Sequence, residues 1–149
     1  MIPTADGFWG VPYPYAPEEP PATEEDIRRW EAKNGVVLPA TLAAALQVQN
    51  GGEILGTGYT VSPLSRILSL ARELGNPLWE DNLEFGPPDR MFLFAIWDGV
   101  SCSLILNYNP GPEPRIIYLR HDLGDELEDQ PYHSFDELIL ARRVQSAEA

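Results

Sequence analysis

The run "MFLFAIWDGVSCSLILNYNPGPEPRIIYLR", residues 91–120, constrains the fold of this chain more than any other stretch. "MFLFAIW" is apolar enough for a central strand. Asp98-Gly99 is a strong hairpin signal, because both residues tolerate positive φ, and "VSCSLILNY" then returns. "NPGPEP" makes a second turn into "RIIYLR". Three antiparallel strands in series are a meander, and a short strand read at 53–60, with glycines at a bend or edge, extends the sheet to four or more. Such a sheet needs helices or a second sheet over its apolar face.

The helices are legible from their ends. Thr23 is a good N-cap, Glu24, Glu25 and Asp26 suit the positive end of the helix dipole, and Asp26 holds the capping-box position. Ile27, Trp30 and Asn34 line up on one side and Gly35 stops the helix. In "LPATLAAALQVQNGGEI", residues 38–54, Pro39 suits a first turn, and Leu42, Ala45, Leu46 and Gln49 share a face. Asn50 and Gly51 tolerate the left-handed backbone that ends a helix, and Gly52 lets the chain swing away. "SPLSRILSLARELGNP" satisfies every local rule for a third helix: Ser62 as cap, Pro63 at the start, and Leu64, Ile67, Leu68, Ala71 and Leu74 as its apolar stripe. Residues 76–90 read as an irregular excursion. At the end, Ser134 and Glu137 form an S-x-x-E box, Phe135, Leu138 and Ile139 supply a buried side, and Arg142 and Arg143 close the helix over residues 134–144. The order α-α-β-α-β-β-β-α predicts an α+β single domain, a mostly antiparallel sheet of four or more strands with helices packed against it.

Residues 1–22 carry six prolines, which exclude a helix and most strand pairing. Phe8, Trp9, Tyr13 and Tyr15 make this arm richer in aromatics than a linker. An extended arm at least partly docked on the domain is expected, the alternative being a free polyproline-type ligand.

The chain of 149 residues has ten basic and 23 acidic side chains, a formal net charge of −13. Such a surface repels phosphate backbones and anionic lipid, which argues against nucleic acid and membrane as partners, and it attracts basic proteins. No run approaches the ~20 apolar residues of a membrane span, no secretory signal is visible, and the single cysteine, Cys102, fits a reducing compartment. A soluble cytoplasmic protein is expected.

Reactive constellations are few. His121 and His133 bracket Asp122, Asp125, Glu126, Glu128 and Asp129, which could suggest a cation site, but the spacing matches no calcium loop and no HExxH is present. A solvated acidic loop is the plainer account, so no metal and no cofactor are expected. On a strand Cys102, Leu104 and Leu106 point the same way, the arrangement of a buried small hydrophobe. No G-x-S-x-G elbow surrounds Ser101 or Ser103, and Gly56-Thr57-Gly58 is too short for a nucleotide loop. Catalytic residues are therefore not assigned. Trp30 and Trp97 read as core anchors. Trp9 and Trp79, on irregular segments, are candidates for interface hot spots, although packing of their own loops is the commoner role.

The block "EEDIRRWEAKNGVVLPATLAAALQVQNGGEI" resembles the opening signature of the SUKH superfamily, which includes the yeast cell-wall assembly regulator and many bacterial immunity proteins. Its marks here are Ile27, Trp30, Glu31, Leu38, Pro39, Asn50, Gly51 and Gly52. "SFDELI", with Phe135, is similar to the family's closing helix. The resemblance covers about residues 23–141, which divides the chain into an arm at 1–22 and a domain at 23–149. It implies a non-enzymatic binding domain, and for the bacterial members a protein that neutralises a nuclease or deaminase toxin by binding it. In that setting the −13 charge suits occupation of a basic nucleic-acid groove. The contact residues expected are Trp79, Glu80, Asp81 and Glu84 on one loop, and Asp122, Asp125, Glu126, Glu128 and Asp129 on another. A regulatory or scaffold module without a toxin partner is the alternative. A hydrolase built on the His121–His133 loop is a third reading.

Overall fold

The computed structural model describes residues 8–13, 19–70, 85–97, 101–121, 126–130 and 134–148. Among them are three helices and one eight-stranded antiparallel sheet. The strands are β1 (Trp9–Pro12), β2 (Gly52–Ile54), β3 (Tyr59–Val61), β4 (Leu68–Ser69), β5 (Met91–Trp97), β6 (Cys102–Asn107), β7 (Arg115–Arg120) and β8 (Glu126–Asp129). The helices are α1 (Glu24–Asn34), α2 (Ala40–Leu46) and α3 (Phe135–Glu148). The sheet runs β1-β2-β3-β5-β6-β7-β8, with β4 also on β5. This is the α+β domain that the sequence predicts.

The meander is its centre. β5 and β7 both pair with β6, which is buried along its whole length. A bulge in β5 lies between Leu93, opposite Ile105, and Ala95, opposite Leu104. It turns both Phe94 and Ala95 toward the main core, where strict alternation would send one of them to the opposite face. That core packs Leu104, Leu106, Ile116 and Cys102 against Ile27, Trp30, Leu42, Leu46, Phe135, Leu138 and Ile139. A smaller cluster on the opposite face holds Leu70, Met91, Ile105, Ile117, Leu119 and Leu127.

α1 begins and ends as its sequence dictates. The Thr23 hydroxyl accepts from the Asp26 amide at 3.0 Å, the Asp26 carboxylate accepts from the Thr23 amide at 3.0 Å, and Gly35 takes φ +69°. At α3 the Ser134 hydroxyl accepts from the Glu137 amide at 3.1 Å. This helix runs to Glu148, so Arg142 and Arg143 lie within it and not at its end.

Four expectations are corrected. The helix predicted from Pro63 begins instead as a 3-10 turn, Leu64–Arg66, followed by the short strand β4. Its cause is the outer edge of β5, whose polar backbone must be paired. β3 takes Ala95–Trp97, the Ser62 amide donates to the Phe94 carbonyl at 2.8 Å, and β4 takes Leu93 and Phe92. The remainder of that predicted helix, from residue 71, lies outside the described residues.

The single strand at 53–60 is a hairpin, β2 and β3, with Gly56 and Gly58 at positive φ in its turn. α2 stops at Leu46, well before Asn50 and Gly51. Besides the local Val48 and Gln49 amides on Ala45 O, its last carbonyls meet distant donors: the Trp9 indole donates to Ala45 O at 2.8 Å and the Ala22 amide to Leu46 O at 2.9 Å. Finally, prolines do not keep the arm out of the sheet. Residues 9–12 pair with β2 at the sheet edge, where Pro12 needs no donor.

Candidate partner-binding surface

The expected contact residues that the structure describes are Glu126, Glu128 and Asp129. All three sit on β8 at the end of the sheet. β8 adopts its register because Leu127 lies opposite Leu119 and closes the smaller core, which turns Glu126 and Glu128 to the other face. Trp79, Glu80, Asp81, Glu84, Asp122 and Asp125 lie outside the described residues.

The three carboxylates are not equivalent. Asp129 pairs with Arg115 at 3.2 Å, and the same guanidinium donates to Gln130 O at 2.9 Å. Glu128 lies 3.6 Å from the Arg120 guanidinium and accepts from the Gln130 side-chain amide at 3.2 Å. Glu126 is exposed. Two of the three charges therefore lie beside arginines of β7, and the local field is weaker than the acidic sequence suggests. Arg115 and Arg120 were invisible to sequence reasoning. They meet the carboxylates only through the antiparallel β7–β8 register, which aligns residues far apart in the chain.

Beside this edge lies a concavity of about 390 Å³, lined by Phe85, Gly86, Asn107, Asn109, Arg115 and Asp129, among others. Asn107 is buried and satisfied. Its oxygen accepts from the Asn109 backbone amide at 3.0 Å and the Asn109 side-chain amide at 2.8 Å, and its nitrogen donates to Phe85 O at 3.3 Å. That network holds the turn after β6 and shapes the wall of the concavity.

Elsewhere the Ser103 hydroxyl meets His121 Nε2 at 2.9 Å across β6 and β7. Ser103 is buried on the face opposite Cys102, and Cys102 joins Leu104 and Leu106 in the main core as its spacing predicts. His133 lies outside the described residues. Among the described residues, no group of three or more His, Cys, Asp or Glu side chains is placed to hold a metal ion.

The remaining singled-out residues build the scaffold. Trp30 donates from its indole to Ile67 O at 3.0 Å and meets Phe92 edge-on at 5.3 Å. Leu38 is buried and its amide donates to the Glu31 carboxylate at 2.8 Å, which fixes the step into Pro39, the N-cap of α2. Phe135 packs edge-on against Phe94 at 5.9 Å. Trp97 stands edge-on to Tyr59 at 5.6 Å, and Trp9 packs half-buried against the main core.

No helix among the described residues is long and apolar enough to cross a membrane. No curated protein matches the chain. Residues 21–141 match the SMI1 / KNR4 family (SUKH-1), a span that takes in α1, α2, the whole meander, β8 and the start of α3. Trp30, Leu38, Asn50 and Phe135 all lie within the matched span, and the chain belongs to the SMI1/KNR4 family (SUKH-1).

Proposed function

We propose that this protein is a non-enzymatic binding domain, an immunity protein that neutralises a cognate toxin of nuclease or deaminase type by occupying its basic surface. Family membership supports a protein-interaction module of the immunity or SMI1/KNR4 kind. The observation that carries the narrower reading is the charge: −13 on 149 residues. A nuclease or deaminase domain binds phosphate backbones through arginine and lysine, and a strongly acidic protein competes for that groove with carboxylates in place of phosphates. Long-range attraction also speeds the encounter and falls with added salt.

Within the acidic surface the proposed contacts are Glu126, Glu128 and Asp129 on β8, together with Trp79, Glu80, Asp81, Glu84, Asp122 and Asp125. Glu126 is the first choice on β8 because it is exposed. The protein acts in the cytoplasm on this reading, where a toxin with access to nucleic acid would work.

The test is binding and protection. A basic toxin domain encoded beside the gene is titrated with the unaltered protein and with Glu126→Lys/Glu128→Lys/Asp129→Lys. The expected result is a lower association rate and loss of protection from toxicity in the variant. Unchanged binding would remove the acidic surface from the account. The regulatory-module reading is favoured instead if the protein co-purifies with endogenous cellular proteins and no toxin gene adjoins its own.

A further inference from the structure

Strand β1 lies ahead of the family-matched span, which begins at residue 21. It is nonetheless seated deeply. Phe8 is fully buried in the main core, its carbonyl accepts from the Leu55 amide at 2.9 Å, and its ring meets Trp9 edge-on at 5.0 Å. The Trp9 indole reaches Ala45 O. The ladder itself is short and irregular: two registered pairs with β2, with a shift between Trp9 and Pro12. Side-chain anchoring therefore holds this strand more than backbone pairing does.

The chain is tied down a second time at residues 20–22, independently of β1. There Asn50 donates to Pro20 O at 3.0 Å and Ala22 donates to Leu46 O at 2.9 Å. Residues 12–21, which join the two attachments, contain five prolines. The segment "FWGVP" is also uncharged in a chain of net charge −13.

We infer that the β2 edge, with the slot that Phe8 fills, is a strand-acceptor groove from which β1 can leave while the rest of the domain stays folded. Its second occupant is the same segment of another copy. Release of β1 breaks fewer contacts than global unfolding. A second copy restores every one of them, and only the path of the connector changes. An open β2 edge next to an apolar slot selects an uncharged strand with adjacent aromatics, which residues 8–12 are. Repulsion between two acidic domains opposes the exchange at low ionic strength, so raised salt favours it.

The experiment uses the full chain carrying Phe8→Ala, which loosens its own strand. A peptide of residues 5–13 supplied in trans is expected to raise the thermal midpoint of this variant by several degrees. It should bind the variant about tenfold tighter than the unaltered chain, because the open groove is more populated. The same peptide with Phe8→Ala should do neither. An absent shift, or equal shifts with both peptides, overturns the inference. Where the variant does not fold, the unaltered chain decides. Refolded at high concentration and raised salt, it should yield a species of twice the monomer mass by light scattering, and two mass-labelled batches refolded together should yield the mixed species. Monomer alone under those conditions overturns the proposal.

Discussion

The side-chain oxygen of Asn50 accepts the backbone amide of Leu64 at 2.8 Å, while its nitrogen donates to Pro20 O at 3.0 Å. One amide thus ties the loop after α2 to the end of the arm and to the start of the 3-10 turn. Asn50→Ala leaves the part-buried Leu64 amide without this partner and should lower stability by about 1–2 kcal/mol in urea unfolding. Asn50→Asp keeps the acceptor and should recover part of that loss. Equal stability of Asn50→Ala and the unaltered protein would show that the bridge contributes nothing.

Gly51 and Gly35 both have positive φ, +100° and +69°, but their surroundings differ. A Cβ at Gly51 would sit 2.9 Å from Pro63 N and 2.9 Å from Val61 O, both backbone atoms. At Gly35 a Cβ meets nothing within 4 Å. Gly35→Ala should cost only the left-handed penalty of about 1–2 kcal/mol. Gly51→Ala adds backbone displacement of the β3 exit and should cost clearly more, on the order of 3 kcal/mol or above. Thermal unfolding of the two variants side by side makes the comparison, and equal losses would contradict it.

Two groups give the stability a pH signature. The Asp26 carboxyl is held below its ordinary 3.8, first by the Thr23 backbone amide, then by the Thr23 hydroxyl and the Arg29 charge. Its contribution is fully present above the unfolded value and lost as pH falls through the folded one. The stability difference between the unaltered protein and Asp26→Asn should therefore shrink in acid. At the other extreme, burial first, and then Glu31 and Glu113, push the Tyr108 phenol well above its ordinary 10.0. Its hydroxyl donates to Val37 O at 2.7 Å. This contribution is present below pH 10.0 and is lost as pH rises toward the folded value, because the unfolded chain ionises first. Ultraviolet titration should show less late tyrosine ionisation in Tyr108→Phe than in the unaltered protein, and identical curves would contradict this.

Arg115 and Asp129 form a part-exposed pair at the sheet edge. A double-mutant cycle on this pair should give less than about 1 kcal/mol of coupling, and less again in high salt. Arg115→Ala should also leave Asp129 unneutralised and raise the association rate with a basic protein. A slower association would place Arg115 itself in the interface.

Sequence alone determined the elements whose signals are local. α1 is written in Thr23, Asp26 and Gly35, and the start of α3 in Ser134 and Phe135. The meander β5–β6–β7 is written in apolar runs separated by turn residues. The block from Leu38 to Gly52 identified the family scaffold, although Asn50 and Gly51 serve it differently from their helix-stop reading. One bridges segments, and the other lets the chain pass beneath Val61 and Pro63.

Tertiary structure alone decided three things. Residues 64–69 form a turn and a strand because the edge of β5 needs pairing there, and that demand outweighs a good helical pattern. The arm becomes a strand because Phe8 finds a slot in the core and Trp9 a carbonyl of α2. Arg115 and Arg120 face the β8 carboxylates because of antiparallel register. Propensity and capping act between residues a few positions apart, so a sequence displays them. Edge pairing, slot filling and cross-strand charge pairing join residues that only folding brings together.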